Sequence, residues 1–107
     1  MYNMNIEQKI QLAKIGHPKH LDILIHDSDP YVRSLVAIHG NDKHRDILVH
    51  DKDPGVRWHV AYSGNKDHAT KLSKDSDAYV RIRANRRLKE LGKKSNILAR
   101  KLKVSYK

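Results

Sequence analysis

A chain of 107 residues, 38% hydrophobic and 32% charged, has material for one small core and not for two. It contains no cysteine, which excludes disulfides, thiolate metal sites, iron–sulfur clusters and a cysteine nucleophile. Its formal net charge of +10 is unevenly spread: Met1 to Ala78 carries 11 basic and 11 acidic residues, whereas Tyr79 to Lys107 carries 11 basic residues against Glu90 alone.

That asymmetry implies an acidic partner. With no Phe, one Trp and five Tyr, any core has to be built from Leu, Ile, Val and Ala. No apolar run approaches the roughly 20 residues needed to cross a bilayer, and MYNMNIEQK lacks the basic-then-apolar order of a signal peptide. A soluble, cytoplasmic protein that does not engage membranes is the expectation.

The first predicted element is a helix in IEQKIQLAKIG, residues 6–16, which would serve as an N-terminal cap over residues 1–15. Beyond it the chain repeats itself. DSDPYVRSLVAIHGN at residues 27–41 returns 24 residues later as DKDPGVRWHVAYSGN and again as DSDAYVRIRANRRLK. In register stand Gly16, Gly40 and Gly64; His20, His44 and His68; Leu24, Leu48 and Leu72; Asp27, Asp51 and Asp75; and Arg33, Arg57 and Arg81.

Each unit is predicted to hold a short helix, a turn and a longer helix. LDILIH and RDILVH supply the short apolar segment, ended by an Asp-x-Asp turn. Asp29 and Asp53 each precede a proline, the arrangement of an N-cap carboxylate followed by Pro at the first helical position. Val32, Leu35 and Val36 then form one apolar stripe, and Gly40 is expected as a left-handed stop. Neither helix is long enough to be stable alone, so each pair must bury its stripe against the next. The predicted fold class is therefore all-α: a short α-α superhelix of two-helix repeats at 16–39, 40–63 and 64–87. At the C-terminal end Val80, Ala84, Leu88 and Leu91 extend a stripe to Gly92, after which SNILARKLKVSY is predicted to form a last helix with Leu98 and Leu102 inward. Residues 88–107 would thus make a basic C-terminal cap.

The pattern DxDPxVRxxVAxxGN at a 24-residue period resembles the HEAT-like repeats, and more closely the leucine-rich repeat variant, whose units carry Asp-Pro, Val-Arg and Val-Ala in this order. The resemblance covers residues 16–87. It implies a right-handed superhelix of alternating short, partly 3₁₀, and α helices. The third unit departs from it, with Ala78 for Pro and Asn85 for Ala. Relatives with an iron–sulfur segment need cysteines that this chain lacks, so no cofactor is expected.

The Arg33, Arg57, Arg81 column is read as an internal charge ladder with the turn aspartates. The His20, His44, His68 column is not a metal site, because rungs about 10 Å apart cannot share an ion whose ligand bonds are about 2 Å. His17 and His20 lack a third ligand, and no GxSxG, HExxH or P-loop motif is present. The chain is expected to be non-enzymatic.

The uncompensated charge sits in RIRANRRLKELGKK and ARKLKVSYK. Arg83, Arg86, Arg87, Lys89, Lys93, Lys94, Arg100, Lys101 and Lys103 are the candidate contacts to a nucleic acid backbone, DNA or RNA, bound without sequence preference, or to an acidic protein. Tyr31, Trp58, Tyr62 and Tyr79 are the candidates for a protein interface, in a scaffold or small inhibitor. A third reading rests on the HEAT-like DNA glycosylases, with Trp58 beside His59 as base-stacking support.

Overall fold

The computed structural model describes residues 3–101, and between 94 and 100 the backbone alone. Among the described residues there are seven helices and no strand: α1 (Ile6–Ile15), α2 (Pro18–Leu24), α3 (Pro30–His39), α4 (Asp42–Leu48), α5 (Pro54–Ser63), α6 (Lys66–Leu72) and α7 (Ala78–Lys101). None is long and apolar enough to cross a membrane.

The local chemistry of each start explains the alternation of seven- and ten-residue helices. Asn41 and Asn65 open α4 and α6 with capping boxes: their side chains accept from the N–H of His44 and His68, whose rings accept from the Asn N–H in return. Asn5 and Gln8 do the same for α1. Asp29 and Asp53 accept from the Tyr31 and Gly55 N–H groups (2.9 and 2.7 Å) ahead of prolines that need no donor. In the third unit, where Ala78 replaces proline, the Asp77 carboxylate still accepts from Val80 N–H at 3.1 Å. The cap, not the proline, carries the helix start.

The turns between short and long helices are closed by the other aspartate of each Asp-x-Asp. Asp27, Asp51 and Asp75 accept from the N–H groups of Asp29, Asp53 and Asp77 at 2.9–3.0 Å. These are Asx turns, which stop the short helix after two turns. The short helices are α-helical, contrary to the partly 3₁₀ form implied by the resemblance. Bonds from residue i to i−3, such as Asp27 N–H to the Leu24 carbonyl and His20 N–H to the His17 carbonyl, appear at the helix ends.

The longer helices lie in a row, α3 against α1, α5 against α3, α7 against α5, and the short helices bridge consecutive members of that row. The buried side chains keep the 24-residue register: Val32, Val56 and Val80; Val36, Val60 and Ala84; Leu24, Leu48 and Leu72. The result is elongated, 54 × 31 × 18 Å with a radius of gyration of 15.7 Å, against about 13 Å for a compact chain of this length.

Two expectations need correction. Gly16 alone adopts a left-handed conformation (φ 76°), whereas Gly40 and Gly64 are extended (φ −81° and −74°). These two are small for a different reason: a Cβ at Gly40 would lie 2.5 Å from the Val36 carbonyl oxygen and 2.8 Å from His44 Nδ1, and one at Gly64 would lie 2.6 Å from the Val60 carbonyl oxygen. The capping histidine is folded back against the glycine, and no side chain fits between. Nor does Gly92 end a helix. α7 runs through it to Lys101, so the separate last helix after Gly92 does not form, and Leu98 and Leu102 lie outside the described side chains.

The glycines should therefore respond with opposite sign to alanine. Gly40→Ala is expected to destabilise by about 1–3 kcal/mol through overpacking, whereas Gly92→Ala, with no heavy atom within 4 Å of the new Cβ, should stabilise by roughly 0.5–1 kcal/mol. Urea denaturation followed by far-UV circular dichroism reads both.

Candidate functional site

Three of the cations of this chain, Lys9, Arg33 and Arg57, are engaged in the packing between neighbouring units. Arg33 on α3 forms a two-pronged bond with Asp51 of the following unit, Nε to Oδ2 at 2.8 Å and Nη2 to Oδ1 at 3.1 Å, while Nη1 donates to the carbonyls of Asp27 and Ser28. Arg57 repeats the arrangement with Asp75 and the Asp51 carbonyl. At the head of the series Lys9 on α1, 24 residues before Arg33, reaches Asp27 at 2.8 Å. Each aspartate thus closes its own turn, receives a cation from the unit before, and is partly shut off from water.

Burial by itself pushes the Asp75 carboxyl up. The hydrogen bonds from Arg57 and from Asp77 N–H, with the charges of Arg57 and Arg81, outweigh it and hold Asp75 below the ordinary carboxylate range. Asp27 is held down in the same way, burial being overcome by Lys9, the Asp29 N–H and Arg33. The hydrogen bond to Asp51 raises the Arg33 pKa against its burial, and that to Asp75 does so for Arg57.

A second set of contacts runs parallel to the first. His44 is 2.7 Å from Asp22, and His68 is 2.6 Å from Asp46, each through Nε2. Because Nδ1 of each ring already accepts the N-cap N–H, the neutral tautomer that satisfies both contacts carries its proton on Nε2. Two members of the histidine column, His44 and His68, are capping residues. Among the described residues no three or more His, Asp or Glu side chains converge as a metal site would need.

The candidate cations of α7 divide into two groups. Arg83 and Arg87 face inward. Arg83 is 7% exposed, donates to Glu90 at 2.7 Å and lies over the Tyr62 ring at 4.6 Å; Arg87 donates to the carbonyls of Gly64 and Ser63. Their expected place at a partner surface is therefore corrected: they tie α7 to α5. The 24-residue register carried the signal, since residue 83 aligns with Leu35 and His59 on the packed side of the row. The hydrogen bond from Arg83, with the charges of Arg87 and Arg86, also holds the Glu90 carboxyl below its ordinary value.

Arg86, Lys89 and Lys93 are exposed, and among the described residues none has a carboxylate within 4 Å. Their spacing of three and four residues sets them on one stripe of α7, with Ile82 (60% exposed) and Tyr79 (76% exposed) toward its start. Lys101 is exposed at the far end of the helix; the side chains of Lys94 and Arg100, and Lys103 altogether, lie outside the described residues.

Trp58 and Tyr62 stack at 5.7 Å with ring planes 9° apart, Trp58 packing against the core and Tyr62 half in solvent beneath Arg83. The His59 ring meets Trp58 edge-on and bonds the Gly55 carbonyl of its own helix. Tyr31 and Tyr79 are exposed at the N-terminal ends of α3 and α7, away from this stack.

Arg81 was expected to continue the internal ladder, and here too the structure differs. Its guanidinium donates to the carbonyls of Asp75 and Ser76 (2.7 and 3.1 Å), but it is exposed, with no carboxylate within 4 Å among the described residues. The sequence holds the reason: 18 residues after Arg33 and Arg57 stand Asp51 and Asp75, and 18 residues after Arg81 stands Ala99.

Comparisons with models of protein families, with curated proteins and with solved structures found no match.

The ladder generates two measurements. Arg57→Ala leaves Asp75 shielded and unpaired, and should cost about 3 kcal/mol in urea denaturation. Because Asp27 and Asp75 are depressed in the folded chain, the stability they contribute is complete above the unfolded carboxylate value near pH 4. It is lost as pH falls through their folded values. The thermal midpoint should therefore drop below about pH 4, and Asp75→Asn should be less stable at pH 7 yet show a shallower acid decline.

Proposed function

We propose that this chain is a short HEAT-like α-solenoid acting as a non-enzymatic interaction module that binds the phosphate backbone of nucleic acid, without base readout, through the stripe Arg86, Lys89 and Lys93 on α7. The observation that carries the reading is the grouping of these cations. Arg86, Lys89 and Lys93 are exposed on one side of one helix with no carboxylate within 4 Å among the described residues, whereas exposed lysines elsewhere that also lack such a partner, such as Lys19, Lys43 and Lys66, lie on separate helices.

The stripe covers about 10 Å of helix axis from Arg86 to Lys93, a span of about three phosphates along one strand of a duplex. Its cations would release condensed counterions on binding, a contribution that does not depend on base sequence. Tyr79 at its start provides an exposed aromatic face suited to an unpaired base. The rigid row of helices beneath would hold the cations in place, which keeps the ordering cost of binding low.

Fluorescence anisotropy with a labelled duplex and a labelled single strand, titrated at several salt concentrations, tests this. The triple variant Arg86→Gln, Lys89→Gln, Lys93→Gln should weaken duplex binding on the order of a hundredfold near 0.1 M salt and flatten the salt slope by roughly 2.7, with an unchanged far-UV spectrum. Binding that survives these three substitutions would sink the proposal. Arg83→Gln should instead lower stability, because it uncouples Glu90 and uncovers Tyr62.

A further inference from the structure

We propose that Arg81 is a docking position for an aspartate of an acidic protein partner, entering as the next rung of the Arg–Asp ladder. The inference stands apart from the phosphate reading and rests on the comparison of three arginines in one register. In Arg33, Nη1 donates to the carbonyls of Asp27 and Ser28 (2.8 and 3.2 Å), and this fixes the plane of the guanidinium. The remaining edge, Nε and Nη2, then meets both carboxylate oxygens of Asp51. Arg57 holds Asp75 through the same edge at the same distances, 2.8 and 3.1 Å.

Arg81 reproduces the first half of that arrangement. Its Nη1 donates to the carbonyls of Asp75 and Ser76, so the group is already oriented, and the Nε–Nη2 edge has no carboxylate among the described residues. A planar fork held in this way matches the two oxygens of a carboxylate, and the ordering of the side chain has been met in advance by the two carbonyls.

The ground around it fits a protein occupant. Ile82 is 60% exposed where Ser34, in the same register, is 6% exposed; Asn85 is exposed where Ala37 and Ala61 are fully buried. These are positions that elsewhere in the chain are covered by the following unit. Arg81 lies five residues, or about 140° of helix rotation, from Arg86, so this edge is separate from the centre of the phosphate stripe. The turn aspartates of a second copy, Asp27, Asp51 and Asp75, are already held by Lys9, Arg33 and Arg57, which favours as occupant another protein that presents an aspartate at the end of a short helix or in a turn.

The full chain, labelled with nitrogen-15, is titrated with the blocked peptide LVHDKDPGV, which has the sequence of residues 48–56, and with the same peptide carrying Asp51→Asn and Asp53→Asn. The Nε–Hε resonance of Arg81 should move with the aspartate peptide, at an affinity at least tenfold above that of the asparagine peptide. Arg81→Gln should abolish the effect, and Arg81→Lys should lose most of it, since an ammonium cannot make the paired contact. The triple Gln variant of the phosphate stripe should keep it, which separates failure here from failure of the nucleic-acid reading. Equal responses to the two peptides, a response matched at Arg86, or none at Arg81 would overturn the proposal. So would a duplex that moves Arg81 together with Arg86 where the peptide does not, assigning the fork to phosphate. A concentration-dependent dimer in sedimentation, lost in Arg81→Gln, would overturn it in favour of a second copy.

Discussion

The structure depends on one repeated contact, the bond between the arginine of a longer helix and the aspartate that closes the following turn. The aspartate ends the short helix by accepting from the N–H two residues on, and the arginine of the unit before grips the same carboxylate while tying its own turn through one or two carbonyls. Local backbone shape and packing between units are thereby set by the same atoms. The apolar contacts contribute most of the burial, but Val, Leu and Ala stripes tolerate sliding. A two-pronged ion pair in a partly shielded place does not, because a shift of about 1 Å breaks one of its two short bonds.

That economy has a consequence for the surface. Some of the charge that looks available in the sequence is used between helices, and of the cations left without a carboxylate, Arg81, Arg86, Lys89 and Lys93 stand together on α7, where no further unit follows among the described residues. Arg83 and Glu90, seven residues apart on that helix, continue the internal pairing by other means, with Tyr62 beneath the guanidinium. What remains is a helix with an anchored face and a free face, and the two proposed contacts divide the free face: a stripe of unpaired cations for phosphate, and one pre-oriented fork for a carboxylate. A row of cations suits a ligand with a regular charge, while an oriented fork suits a single planar acid.

The helix pairs and their register were legible because each is written in short-range chemistry: an N-cap aspartate before proline, an Asx turn, an apolar spacing of three and four. The roles of Gly40, Arg83 and Arg87 were not. Gly40 has ordinary extended geometry, and its need to be small comes from the imidazole of His44 folded back against it, a contact that the glycine's own neighbours do not reveal. The sequence groups Arg83 and Arg87 with the other cations of α7, but a helix read alone has no neighbour, and α5 lies against their side.

By itself, then, the sequence determined the period, the caps, the turn aspartates and the stripe that must be buried, because these follow from hydrogen bonds spanning two to four residues and from the chain's own repetition. It also determined that the net charge lies after Tyr79. Only the tertiary structure decided which of those charges are spent. Two arginines in the same stretch differ by whether a carbonyl or carboxylate from another helix comes within about 3 Å, and in a thin elongated fold that depends on the side of the helix each residue occupies and on the presence of a following unit.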